Sequence, residues 1–312
     1  MTPQEFAFLR KILKERSGLN LGEDKQEILE GRLRPLLKEF ALSSVSALVV
    51  TLMRPGTDHL RTRLAQAVTV QESYFFRNKT PFHYFGDVLL PRLMKTRRSC
   101  RRIRVWCAAA AAGQEPYSLA MELAERERQL IGWTVEIVAT DFAEDALRKA
   151  RKGIYSQFEV QRGLPVSLLV KYFQKVGTSW EISPDIRARV AFREHNLLDD
   201  CQDLGPFDVI FCRNVLIYFD EATKRAVLAR LASGLASDGY LVLGAAETTT
   251  GLSHDFVAVP ERHHGIFRLT PAAAAAKAGR EAAKLEAGEG APERDAAPHA
   301  TQGALRLGAS PR

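Results

Sequence analysis

The sequence predicts an α/β protein, a mostly parallel sheet with helices on both faces, preceded by a small all-α domain. Three observations predict it. From residue 103 onward, short apolar runs alternate with helical stretches, whereas residues 1 to about 80 carry apolar residues only at helical spacing. Between these regions Arg104-Val105-Trp106-Cys107 leads through five alanines into Gly113-Gln114-Glu115-Pro116-Tyr117-Ser118. That order reads as a buried strand, a turn of small residues and a helix start, the place where an α/β sheet holds a nucleotide-like cofactor.

In chain order, Thr2-Pro3 starts a helix with Phe6, Leu9, Ile12 and Leu13 on one stripe, and Gly18 ends it. Ile28, Leu29, Leu33, Leu36 and Leu37 form a second stripe, with Arg32, Arg34 and Lys38 on the other face. A weaker helix spans Val45 to Met53, Pro55-Gly56 breaks it, and 58–68 forms another. In the second region strands are expected at Ile103–Ala108, Thr134–Thr140, Phe207–Cys212 and Tyr240–Leu243. Helices are expected at Pro116–Gln129, Glu144–Lys152 and Glu221–Leu235, and Phe256–Val259 with Gly265–Leu269 forms a closing hairpin. Trp180-Glu181-Ile182 and Arg189–Glu194 read as short strands of a small β-insertion, about 174–195. The domains are therefore 1–80, 81–270 and a tail, 271–312. The tail has almost no large apolar side chains to offset its ordering entropy, and the expectation is disorder.

Net charge is +7 and unevenly placed. Residues 1–102 hold 19 Lys/Arg against 10 Asp/Glu, so the basic character lies in the N-terminal third and implies an acidic partner there. A solvated helix face is the plainer account of Arg32, Arg34 and Lys38. The four cysteines form no CxxC pair, and Cys107 and Cys212 lie inside apolar runs, which suits buried thiols in a reducing cytoplasm. The seven histidines show no metal-site spacing, and no metal is expected. No apolar run is long enough to span a bilayer.

Several motifs stand in one order: Glu72-Ser73-Tyr74-Phe75-Phe76-Arg77, Gly113-Gln114-Glu115-Pro116-Tyr117-Ser118, Ala139-Thr140-Asp141, and Phe207 through Cys212-Arg213-Asn214-Val215-Leu216-Ile217-Tyr218-Phe219. Together, over roughly residues 3–270, they resemble the CheR-type chemotaxis-receptor glutamate methyltransferases. The resemblance implies a Rossmann-like domain dependent on S-adenosylmethionine (SAM), with an inserted β-subdomain. It implies methyl transfer to receptor glutamates, giving methyl esters and S-adenosylhomocysteine. It implies a helical receptor region docked by Arg32, Arg34 and Lys38, no nucleic acid, no membrane insertion, and a cytoplasmic monomer.

Site roles follow from position and resemblance together. Asp141, at a strand end, suits both ribose hydroxyls of an adenosyl group, and a helix cap is its alternative. Glu115 lies in the first helical turn, where capping alone accounts for a carboxylate; the resemblance implies cofactor contact. Arg77 implies a bidentate contact to the cofactor carboxylate, against a plain surface ion pair. Gln71 and Ser73 add amide and hydroxyl contacts, Gly113 turns the chain, and Asn196 and Leu197 meet the adenine unless Asn196 only makes a turn. Arg213 and Asn214 follow a strand end. Tyr218 is either a core aromatic or a catalytic hydrogen-bonding group, and Arg92 is the candidate to hold the acceptor carboxylate. An ionised glutamate needs no general base, so the lack of a Ser/His/Asp arrangement fits this chemistry.

The sequence departs from the family in the turn, where Ala111 and Ala112 replace hydroxyl residues. Each lost hydrogen bond would cost roughly 0.5–1.5 kcal/mol. That departure motivates a second reading, a SAM-binding adaptor with weak or no turnover. The basic N-terminal third motivates a third, a nucleic-acid methyltransferase, which the lack of a base-amine or Pro-Cys motif and of interleaved aromatics disfavours. The 176–189 segment is short, which favours independence from a receptor peptide tether.

Overall fold

A computed structural model of the chain describes residues 1–260, 265–286 and 304–306. The N-terminal domain comprises α1 (Pro3–Ser17), α2 (Gln26–Glu39), α3 (Val45–Leu52) and α4 (Asp58–Val68). α1 opens with a capping box: the Thr2 hydroxyl accepts from the Glu5 amide while the Glu5 carboxylate accepts from the Thr2 amide. It stops at Gly18, which is left-handed at φ 74°. The leucine stripes meet at a common core through Leu9, Leu13, Leu29, Leu33, Leu48 and Leu64, all fully buried.

The second domain carries β1 (Arg102–Ala108), β2 (Thr134–Asp141), β3 (Ile154–Ser156), β4 (Phe173–Val176), β5 (Ser179–Ile182), β6 (Val190–Glu194), β7 (Phe207–Cys212), β8 (Leu235–Leu243), β9 (Phe256–Ala258), β10 (Ile266–Leu269) and β11 (Ala304–Arg306). β6, β2, β1, β7 and β8 are parallel in that spatial order, and β10 and β9 close the sheet antiparallel. The chain steps from β1 to β2 and β6 on one side, then returns to β7 and β8 on the other. This reversal beside β1 opens a crevice at the strands' carboxyl ends, where such sheets bind ligands. Phe207–Cys212 is buried at every position, as a central parallel strand should be.

Three expectations need correction. Arg189–Glu194 was expected in the β-insertion, but Val190–Glu194 pairs with β2 in the main sheet, Ile137 opposite Val190 through Asp141 opposite Glu194. The inserted sheet is β3-β5-β4 instead, so the insertion begins near Ile154. A short apolar strand does not encode its partner, and the two sheets are close in sequence here. The helix after the turn spans Gln114–Ala124, and a separate 3-10 turn follows at Glu127–Leu130.

The third correction concerns the tail. Pro271–Glu286 is a helix and β11 lies antiparallel on β2; the rest of 287–312 lies outside the described residues. Alanine is the strongest helix former, so a chain poor in large apolar groups still folds locally. Ala273 and Ala274 pack on the core beside β8 and β10. Lys277 donates to Ala232 O at 3.3 Å and to Ser233 O, carbonyls left open at the end of the helix Glu221–Gly234. No helix among the described residues is long and apolar enough to cross a membrane.

Candidate cofactor site

A cavity lies at the carboxyl ends of β1, β2, β6 and β7, against the N-terminal domain. The structure brings Gln71, Ser73, Arg77, Glu115, Asp141, Asn196, Leu197, Arg213, Asn214 and Tyr218 to its wall. Gly113 lies behind that wall. Its φ is +89°, and a Cβ there would stand 2.9 Å from that of Ala150, so glycine is required for the turn rather than for ligand contact. Arg92 is also off the wall, and farther from it. It is exposed on the helix Leu90–Thr96, which feeds the amino end of β1, and the cavity is at the opposite end of that strand.

The turn after β1 is organised by backbone. Asp141, at the end of β2, accepts from Ala111 N at 2.8 Å and Ala143 N at 2.9 Å, one on each carboxylate oxygen. Gln71 Nε2 also donates to Oδ1 at 3.4 Å. A carboxylate offers about four acceptor positions, so the open one lies on Oδ2, which holds a single amide. Burial pushes the Asp141 pKa up, against the pull of these amides. Ala109 and Ala111 sit in the left-handed region at φ 72° and 48°, a conformation alanine adopts at a cost. The turn is held from behind by Tyr155, whose hydroxyl donates to Ala112 O at 2.8 Å.

The loop after β7 is organised by side chains. Arg213 is buried, and its guanidinium donates to Glu115 Oε2 at 2.7 Å, Arg77 O at 2.7 Å and Asn78 Oδ1 at 3.2 Å. It lies 5.5 Å from the Phe82 ring centroid. Burial raises the Glu115 pKa, and Arg213 opposes the rise. Asn214 is left-handed at φ 59°. Glu247, beyond β8, accepts four backbone amides: Asn214 N, Val215 N, Leu216 N and Gly244 N, at 2.8, 2.9, 2.8 and 2.6 Å.

The sequence reading missed the contribution of the N-terminal domain. Ser17 and Leu19 line the cavity, Leu19 forms an antiparallel bridge with Phe219, and Asn20 N donates to Tyr218 O at 2.8 Å. Lys14 pairs with Asp220 at 2.6 Å, and Asn196 Nδ2 donates to Arg16 O at 2.7 Å. Gly18 ends α1 and also lets the two domains approach, since a Cβ there would meet Thr223 and Phe219 at 3.0 and 3.1 Å. His195 also reaches the wall and carried no motif.

Two observations test whether an adenosyl cofactor suits this chemistry. Gln71 Oε1 and Asn214 Oδ1 are buried acceptors without a hydrogen-bond partner in the protein, and both residues line the cavity. Unpaired acceptors of this kind suit a ligand rich in amino and hydroxyl donors. The Asp141 carboxylate at a strand end and the tight left-handed turn suit the same ligand.

Fold and site together define a Rossmann-like, SAM-dependent methyltransferase. Residues 4–69 match the CheR methyltransferase all-alpha domain and residues 71–264 the CheR methyltransferase SAM binding domain. The chain belongs to the CheR methyltransferase family. It is 38% identical over 252 residues to the chemotaxis protein methyltransferase Cher2 of Pseudomonas putida, covering 80% of this chain and 91% of that one. It is 39% identical over 254 residues to chemotaxis protein methyltransferase 1 of Pseudomonas aeruginosa, again 80% and 91%. Against the chemotaxis protein methyltransferase of Vibrio parahaemolyticus it is 37% identical over 272 residues, 86% of this chain and 98% of that one. The cofactor is SAM, and the activity is methyl transfer in chemotaxis.

Proposed function

We propose that the protein methylates glutamate side chains in the helical cytoplasmic region of a chemotaxis receptor, giving methyl esters and S-adenosylhomocysteine. The observation that carries this reading is a cavity that gathers the strand-end carboxylate Asp141, a buried Arg213–Glu115 pair and Tyr218. When bound, SAM supplies an electrophilic methyl group. Asp141 takes the ribose hydroxyls, and Asn196 and Leu197 stand at the adenine side. Arg213 is committed to Glu115 and to protein oxygens. Arg77 donates through Nη1 to Glu72 O at 3.1 Å and keeps its other donors for a ligand carboxylate. Tyr218 orients the acceptor. An acceptor glutamate is ionised near neutral pH, so positioning and exclusion of water carry the rate. The Leu19–Phe219 seam walls the cavity on the side where Tyr218 sits.

Docking through the basic face of α2 falls to Arg34 and Lys38, which are exposed. Arg32 is half-buried and donates to Val68 O, the open end of α4, so it holds the domain together. We place the protein in the cytoplasm as a monomer, in keeping with the four free thiols. Arg34→Glu with Lys38→Glu is expected to lower receptor methylation and leave SAM affinity unchanged; unchanged turnover makes this face ordinary surface.

A second reading, an adaptor that binds SAM with little turnover, draws on the alanine turn. Ala111 lines the cavity and Ala112 does not, so a single missing hydroxyl is at stake there. Incubation with methyl-labelled SAM and a receptor cytoplasmic fragment separates the readings. Base-labile label on glutamate supports the transferase. SAM binding without label supports the adaptor.

A further inference from the structure

Glu247 lies outside the cavity wall, yet its side chain is buried and takes four backbone amides. Three of these are consecutive, on Asn214, Val215 and Leu216, and the fourth is on Gly244. Consecutive amides converge on one anion only when the backbone curls around it, and left-handed Asn214 supplies that curl. Gly244 is shaped by the same contact. A Cβ there would lie 2.6 Å from Glu247 Oε2 and 2.8 Å from Asn214 Nδ2, so no larger residue leaves the cluster intact. The loop so held presents Arg213, Asn214 and Tyr218 to the cavity.

We infer that Glu247 is a positioning residue: its carboxylate serves as an internal anion that fixes the Asn214–Leu216 backbone in the geometry the cofactor needs. It acts through the loop and not on the ligand. The inference rests on this cavity being the SAM site. Glutamine is the sharpest substitution, because it keeps the shape, while its amide group cannot accept from the amides that one carboxylate oxygen now serves. Donors left buried and unpaired push the loop toward other conformations.

The test uses the full chain, with SAM affinity by calorimetry and hydrogen exchange resolved by residue. In Glu247→Gln, SAM affinity is expected to fall by about tenfold or more, and Asn214, Val215 and Leu216 amides to exchange at least about tenfold faster. Exchange at Val209–Phe211 in β7 stays as it was. Glu247→Asp, which keeps the charge on a shorter arm, recovers part of both losses. The inference is overturned if affinity and loop exchange stay within about twofold of the original chain. It is also overturned if exchange quickens equally across the sheet, or if aspartate does no better than glutamine. Failure of the original protein to label any receptor would count against the proposed substrate alone, because neither readout needs an acceptor.

Discussion

The loops after β1 and β7 leave adjacent parallel strands and face one cavity, but they are built in opposite ways. The first is alanine and glycine, positioned through its backbone by Asp141 and Tyr155. The second carries Arg213, Asn214 and Tyr218, and depends on an ion pair and on Glu247. A loop that works by backbone tolerates side-chain change so long as the residues stay small. A loop that works by side chains fails when one partner is lost. The departure at Ala111 and Ala112 falls in the tolerant loop, so its expected effect is on affinity and not on the fold.

The contrast is most severely tested at Arg213. Arg213→Ala leaves Glu115 buried without its partner and is expected to cost about 3–5 kcal/mol of stability in urea unfolding. A loss below about 1 kcal/mol, as for an exposed pair, would remove the distinction between the loops.

Asp141 comes next. Asp141→Ala strips the acceptor from the Ala111 and Ala143 amides. With the proposed ribose contact also lost, it is expected to weaken SAM binding by about a hundredfold, two charge-assisted hydrogen bonds' worth. The pH response has a definite sign. Because burial raises the Asp141 pKa, acidification neutralises it at a higher pH than an ordinary aspartate. SAM affinity should therefore begin to fall above the usual carboxylate range. The same shift means that the ionised form is the strained one, so this group's own contribution to folding stability improves as pH falls through the raised value. Asp141→Asn should bind SAM weakly with that acid step gone; calorimetry across pH that shows the step intact would assign it elsewhere.

The smallest expected effect is a gain. Ala111→Ser restores one hydroxyl at the cavity and is expected to tighten SAM binding by about two- to tenfold, from roughly 0.5–1.5 kcal/mol. Ala112→Ser, off the cavity wall, should change little. An equal gain at both positions would mean that the turn is read through side chains after all.

Much of this molecule is legible in its sequence because periodicity and turn residues report local structure. Glu144–Lys152 and Phe207–Cys212 fall where their patterns put them. Partners are less legible. Val190–Glu194 is a strand in either sheet, and nothing in five residues says which strand it joins. Arg32 looked like surface because helical spacing ignores what the next helix end needs. Arg92 is an arginine of the right chemistry in the wrong place, because residue type alone does not say which end of β1 its helix approaches. The role of Glu247 is not legible in the sequence, because its four partners lie across a loop that only folding closes.

The bridge between Leu19 and Phe219 has a consequence for how the protein can be divided. The two family domains meet between residues 69 and 71, but the site does not respect that border. Ser17 and Leu19 stand on one side of it, and Asp141 and Tyr218 on the other. A fragment cut at the border would keep the sheet and every acidic ligand-facing group, yet it would hold an open trough where the whole chain has a chamber. Ownership of the active site is shared, and the chain must be kept whole for it to exist.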